Sequence, residues 1–289
     1  MIKSVPDEVW AFDCEWVPDL RAGRILYRLP DELPDREVLR VMWEQGGATP
    51  DNPQPFLRTL LCRIVSIAAV VRRVSKNGEP QLFLHTLPEN PDDPSQDETY
   101  ILRRFLGDGL AARNPQLVGF NSRNADLRIL TQRAITRGLC LPHLCERLDA
   151  KPWESMDIDL MDMVSGYGKS YAVSLNEMAT LCGIPGKLET SGEDVCGLWF
   201  GGHRREIVQY NSFNALTTYL LWLRLAFFSG RLNTEEYRLE QVRVRRLLEE
   251  RARKPDDAYL ARYLDAWREL KTRTDQIGDG VFEASVGER

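Results

Sequence analysis

The sequence predicts an α/β fold, a mixed five-stranded sheet with helices on both sides. Three observations predict it. An aromatic-rich strand stands near the start, a β-branched run with a hairpin signal follows, and beyond them helical periods alternate with short apolar segments.

Residues 9–16, VWAFDCEW, read as a buried strand stopped by Val17-Pro18-Asp19. Residues 20–58 hold Pro30, Pro34, Pro50, Pro53 and Pro55 and lack a long apolar period, so they read as an insertion with one short helix over 36–45. The run 60–74 is β-branched, and Lys76-Asn77-Gly78-Glu79 signals a turn before 81–87, which gives two antiparallel strands. Ile101, Leu102, Phe105, Leu106 and Leu110 recur at helical spacing over 97–113, ahead of a fourth strand at 116–121. A helix is expected over 126–138, with Gly138 at its C-terminus, and a fifth strand over 156–164. Ser174 with Glu177 forms a capping-box pattern, 204–228 is the longest helical signal, and two charged amphipathic helices are expected over 234–253 and 257–270.

The 289 residues carry 38 Lys and Arg against 43 Asp and Glu, a net charge of −5. Bulk charge therefore does not suit a protein that coats nucleic acid or anionic membrane, and any nucleic-acid contact has to be local. With 43% hydrophobic residues, 20 Gly and 16 Pro, the composition excludes a collagen, a disordered tail and a Cys-dense scaffold. MIKSVPDEVW lacks the pattern of a signal peptide, and the most apolar stretch, 220–228, is short and broken by Arg224, so a soluble, cytoplasmic chain with no membrane partner is expected. The 6 cysteines form no C-x-x-C pair and are expected to be reduced thiols.

Three stations carry chemistry. Asp13 and Glu15 sit two apart on the first strand, so both carboxylates face one side, about 6.6 Å apart at Cα. Acids so spaced also occur on solvated strand faces, but the neighbours Trp10, Phe12, Trp16 and Val17 place this pair in the body of the fold, where like charges call for a counter-cation. Asp126 opens a helix just after a Gly119-Phe120-Asn121 turn, where it suits either a ligand or a helix-dipole partner. Tyr210 and Asn214 lie four apart, one above the other on a single helix face.

In this order the stations resemble the DEDD superfamily of 3′-5′ exonucleases, in its tyrosine-bearing branch. They look most like the predicted exonucleases related to the proofreading domain of family-B DNA polymerases. Residues 12–16 fit the Asp-x-Glu motif. Residues 118–127 keep the family's spacing from Asn121 to Asp126, with Ala125 where an aromatic usually precedes the Asp. Residues 210–218 fit Tyr-x-x-x-Asp-x-x-x-Thr except that Asn214 replaces the Asp. Asp159-Leu160-Met161-Asp162, 174–179 and 183–187 also resemble that subgroup, and the likeness runs over about residues 8–230.

The resemblance implies an RNase H-like sheet of order 3-2-1-4-5 with strand 2 antiparallel, an exonuclease domain over 1–230 and a helical C-terminal extension over 231–289. It implies hydrolysis of phosphodiester bonds at the 3′ end of single-stranded DNA, with RNA as the other nucleic-acid substrate, by two Mg²⁺ or Mn²⁺ ions. Asp13, Glu15 and position 214 are expected around the ion that activates water, Asp13 and Asp126 around the second, with Tyr210 orienting the water. An amide at 214 removes one formal charge and weakens such a site. Asn214 is then a natural departure, an introduced substitution, or a sign that Asp159 or Asp162 supplies the missing acid. The competing reading is a degenerate nucleic-acid-binding or scaffold protein that keeps the fold.

Overall fold

A strand buried on both faces needs apolar residues at successive positions, and β1 (Glu8–Pro18) has them, so it runs through the centre of the sheet. The computed structural model describes residues 2–151, 155–168, 173–186, 188 and 195–277; Lys187 and the end of the chain from 278 lie outside them. Strand β2 (Cys62–Val74) pairs antiparallel with β1, and β3 (Pro80–Leu87) antiparallel with β2. Strands β4 (Gln116–Gly119) and β5 (Ile158–Asp159) add on in parallel, and the order is β3-β2-β1-β4-β5 as expected. The chain has the mixed α/β sheet of the RNase H-like exonuclease fold.

The period of two along β1 divides the core. Val9 and Ala11, with Ala68 and Val70 of β2, pack under α9 (Arg204–Phe228). Trp10, Phe12 and Cys14 face the other way, toward α3 (Glu98–Leu102), the π-helical turn Arg103–Ala111 that continues it, and α4 (Asp126–Thr136). Helix α5 (Pro142–Leu148) closes that side through Leu144. Helix α9 buries residues around its whole circumference between Ile207 and Ala226, Asn211, Ser212, Thr217 and Thr218 among them, which requires cover on every side. The sheet covers one side, and α10 (Thr234–Ala252) and α11 (Leu260–Ile277) supply Val244, Leu248, Tyr263 and Trp267 to the same core.

The structure departs from the sequence expectation most over residues 20–58 and at the fifth strand, and it adds the short helices α5 and α8 (Val195–Phe200). Residues 20–58 hold two helices, α1 (Leu20–Tyr27) and α2 (Asp35–Gln45). Asp19 caps α1 by accepting from the Arg21 amide, and Gly23 lets α2 approach, since a Cβ there would lie 2.5 Å from Met42 Sδ. The fifth strand ends after two residues because the Asp159 side chain accepts from the Met161 and Asp162 amides and starts α6 (Leu160–Val164). Helix α7 (Leu175–Leu181) begins with the expected capping box, and α8 packs beside β1.

Candidate active-site cleft

Asp13 and Glu15 point to the α9 side of the sheet, and their cross-strand partners there are small, Ala68 and Ser66. That leaves room above the carboxylates. The pairing register shifts between Glu15 and Trp16, a bulge that re-aims the strand where the acids sit. Helix α9 approaches closely enough for Asn211 Nδ2 to donate to Ser66 Oγ at 3.0 Å. One turn further, Asn214 Nδ2 donates to Asp13 Oδ2 and to Glu15 Oε1, each at 3.2 Å.

Asp126 arrives from the opposite layer. Gly119 ends β4 against Ser122, where a Cβ would sit 2.3 Å from Ser122 Cβ, and Asn121 turns the chain with a left-handed φ of 59°. Helix α4 then starts at Asp126, whose Oδ1 accepts from the Cys14 amide at 3.0 Å and so ties the helix to the strand between the two acids. Asp13, Glu15, Asp126 and Asn214 line one cleft of about 570 Å³, from strand 1, helix α4 and helix α9.

Tyr210 does not line this cleft; it is buried beside it, packed with Val17, Val65, Val195 and Ile207. Asp159 is not the replacement acid, because its carboxylate accepts from the amides of Asn121 at 2.9 Å and Arg123 at 3.0 Å besides capping α6. It clamps the loop that delivers Asp126. Asp162 is paired with Arg123 at 3.6 Å and does not reach the cleft either. Sequence reasoning missed the clamp and the cleft wall formed by Trp43, Phe56, Cys62 and Cys196. The clamp had a signal in hand, an Asp at a strand end preceding a helix.

Burial dominates the electrostatics. It pushes the Asp13 carboxyl up to about 7, against hydrogen bonds from Asn214 and Glu15 that pull it down. Burial and then the charge of Asp13 hold Glu15 well above the carboxylate range, and the same two causes raise Asp126 although the Cys14 amide opposes them. The buried Cys14 thiol beside these acids is also raised well above its ordinary value. Three acids in one pocket cannot all be ionised without compensating positive charge. Among the described residues no three His, Cys, Asp or Glu side chains are already gathered into a metal site, and the partial positive charge nearest Asp13 and Glu15 is the Asn214 amide.

The chain is an α/β domain with two carboxylates, Asp13 and Glu15, on one face of its central strand. The chain belongs to the family described as predicted 3′-5′ exonuclease related to the exonuclease domain of PolB, whose model matches residues 54–267. No curated protein matches it. A solved structure, the family B DNA polymerase from the hyperthermophilic archaeon Pyrobaculum calidifontis, is similar over 77% of this chain at 17% identity with a TM-score of 0.45. That likeness spans 25% of the polymerase chain.

Proposed function

We propose that the chain is a metal-dependent 3′-5′ exonuclease that releases nucleoside monophosphates from the 3′ end of single-stranded DNA, with turnover reduced by Asn214. The observation that carries this reading is the convergence of Asp13, Glu15, Asp126 and Asn214, from three separate segments, on one cleft.

The donors suit a hard divalent cation such as Mg²⁺ or Mn²⁺, because all four side chains offer oxygen and the raised acids lack the charge that would let them ionise together. Asp13, Glu15 and the Asn214 amide oxygen would hold one ion, and Asp13 with Asp126 the other. Such ions supply charge neutralisation at the phosphoryl oxygens and a more acidic water. The protein's part is positioning. The Asp159 clamp fixes the loop before Asp126, and the Cys14 amide fixes the Asp126 carboxylate against the strand. Asn214 must turn its oxygen toward the cleft, which breaks its two bonds to the acids. Tyr210, one turn before it, packs against Val17 and Ile207 outside the cleft wall and would have to turn out of that cluster to orient the attacking water.

Digestion of a 5′-labelled oligonucleotide with Mg²⁺ and with Mn²⁺ tests this, with an RNA strand and a circular single strand alongside. A ladder shortening from the 3′ end is expected, with the circle intact and Asp13→Ala inactive but folded. Cuts within the circle, or unchanged digestion by Asp13→Ala, would overturn the reading. A second reading, a non-catalytic nucleic-acid-binding protein, is favoured by one observation: the Asn214 amide already compensates Asp13 and Glu15 without a cation. Binding of the strand with no digestion by the chain or by Asn214→Asp decides for it.

A further inference from the structure

The segment over 20–58 builds its own small core and then leaves an aromatic outside it. Val38, Met42 and Leu61 are buried there, packed with Leu20, Tyr27, Leu33 and Leu57. Phe56, next to the inward Leu57, is 80% exposed, and it lines the same cleft as the carboxylates. Trp43, half-buried on α2, lines the cleft too, and Asn52 and Gln54 add amide groups to its lining. The backbone that carries them is held by its own bonds: the Ala48 amide bonds the Trp43 carbonyl at 2.9 Å, Thr49 and Asn52 bond each other, and Arg24 holds the carbonyls of Pro30 and Leu33.

We propose that Phe56 and Trp43 form a stacking wall for the terminal bases of a single strand whose 3′ end reaches Asp13. The inference rests on the exonuclease reading and names the part of the substrate that the carboxylates do not address. An apolar ring needs a flat apolar partner, and the acids beside it attract a cation-bridged polyanion; a nucleic-acid end carries both features. A volume of about 570 Å³ falls within the range of sites for nucleotide-sized ligands, roughly 300–1,000 Å³. Stacking accepts every base, so the wall gives grip without sequence preference. Its braced backbone lowers the ordering cost of binding.

The test is binding of a short 5′-labelled oligothymidine with a nonhydrolysable 3′-terminal linkage, and of the same strand with its terminal bases removed, both with Mg²⁺. The wild-type protein is expected to prefer the base-bearing strand. Phe56→Ala and Trp43→Ala each weaken that strand by about fivefold or more, leave the abasic strand unchanged, and Phe56→Trp restores the preference. Equal binding of both strands by the wild type, or no loss in Phe56→Ala, overturns the wall while digestion by the wild type still upholds the exonuclease. A wild-type protein that neither binds this strand nor digests an ordinary oligothymidine overturns both.

Discussion

Asn214 donates its side-chain amide to the Asp13 carboxylate at 3.2 Å, joining α9 to the central strand across 201 residues of chain. A carboxylate in the same place loses that donor and adds a charge. Asn214→Asp is therefore expected to destabilise the metal-free protein by about 1–3 kcal/mol, from two lost hydrogen bonds and new repulsion. With a divalent cation the sign reverses: one more negative ligand should tighten Mg²⁺ binding by about tenfold or more and speed digestion. Mn²⁺ should partly rescue the Asn form, because it binds a given ligand set more strongly. Calorimetric titration with Mg²⁺ checks the first effect. Weaker binding in Asn214→Asp would remove position 214 from the site.

The raised acids give a pH dependence with a definite sign. Asp13 loses its proton near 7 when folded but near its ordinary 3.8 when unfolded, and Glu15 and Asp126 shift the same way. Between those limits the folded state holds protons that the unfolded state does not, so stability falls as pH rises. The contribution is full below the ordinary carboxylate range and is lost as pH climbs through 7. In chelator the melting temperature should drop by several degrees from pH 5 to pH 8, and saturating Mg²⁺ should flatten the drop. A chelated protein that gains stability over that interval contradicts the assigned burial of these acids.

Beneath the cleft, Arg133 of α4 bridges Glu98 at 2.7 Å and Asp19 at 2.6 Å, and Glu98 also accepts from the Ile64 amide and from Arg137. One buried guanidinium thus links the helix that begins with Asp126, the cap of α1 and strand β2. Arg133→Met leaves the buried Asp19 carboxylate without its ion-pair partner and Glu98 with Arg137 alone, and a loss of about 3–5 kcal/mol is expected in urea unfolding. Adding Asp19→Asn should recover part of that loss. If the double variant is no more stable than the single one, stranded charge is not the cause.

The site was legible in the sequence where spacing alone fixes geometry. A strand period of two puts Asp13 beside Glu15, and a helical interval of four stacks Tyr210 on Asn214. The hairpin over 60–87 was legible because β-branched runs flank a turn dipeptide. What stayed hidden depends on tertiary contact. Helix α1 has a single buried residue, Gly23, and leaves Ile25 and Leu26 exposed, so its apolar residues do not mark a core face. The outward turn of Phe56 and the withdrawal of Tyr210 into the Val17 cluster are packing outcomes with no periodic signature. Asp159 ended a strand early by serving four backbone amides at once, a competition that local propensity does not register.

The C-terminal helices bear on stability rather than chemistry. Glu240 of α10 is buried against Arg72 of β2 at 3.0 Å and accepts the Tyr219 hydroxyl of α9 at 3.1 Å, so one carboxylate connects three elements. The side chains of Arg72 and Glu240 are only 7% and 2% exposed, and neither charge can be hydrated if the other is removed. Truncation after residue 230 takes away Glu240 together with Val244, Leu248, Tyr263 and Trp267 of the core around α9. The truncated chain is expected not to fold, and Glu240→Ala alone should cost about 3–5 kcal/mol in urea unfolding. Replacing both Arg72 and Glu240 with Met should cost much less than Glu240→Ala, since no charge is then left buried and the apolar stems keep the volume. A truncated 1–230 chain that melts cooperatively near the full-length temperature would make the helices a dispensable appendage, and the burial argument for Glu240 would fall with it.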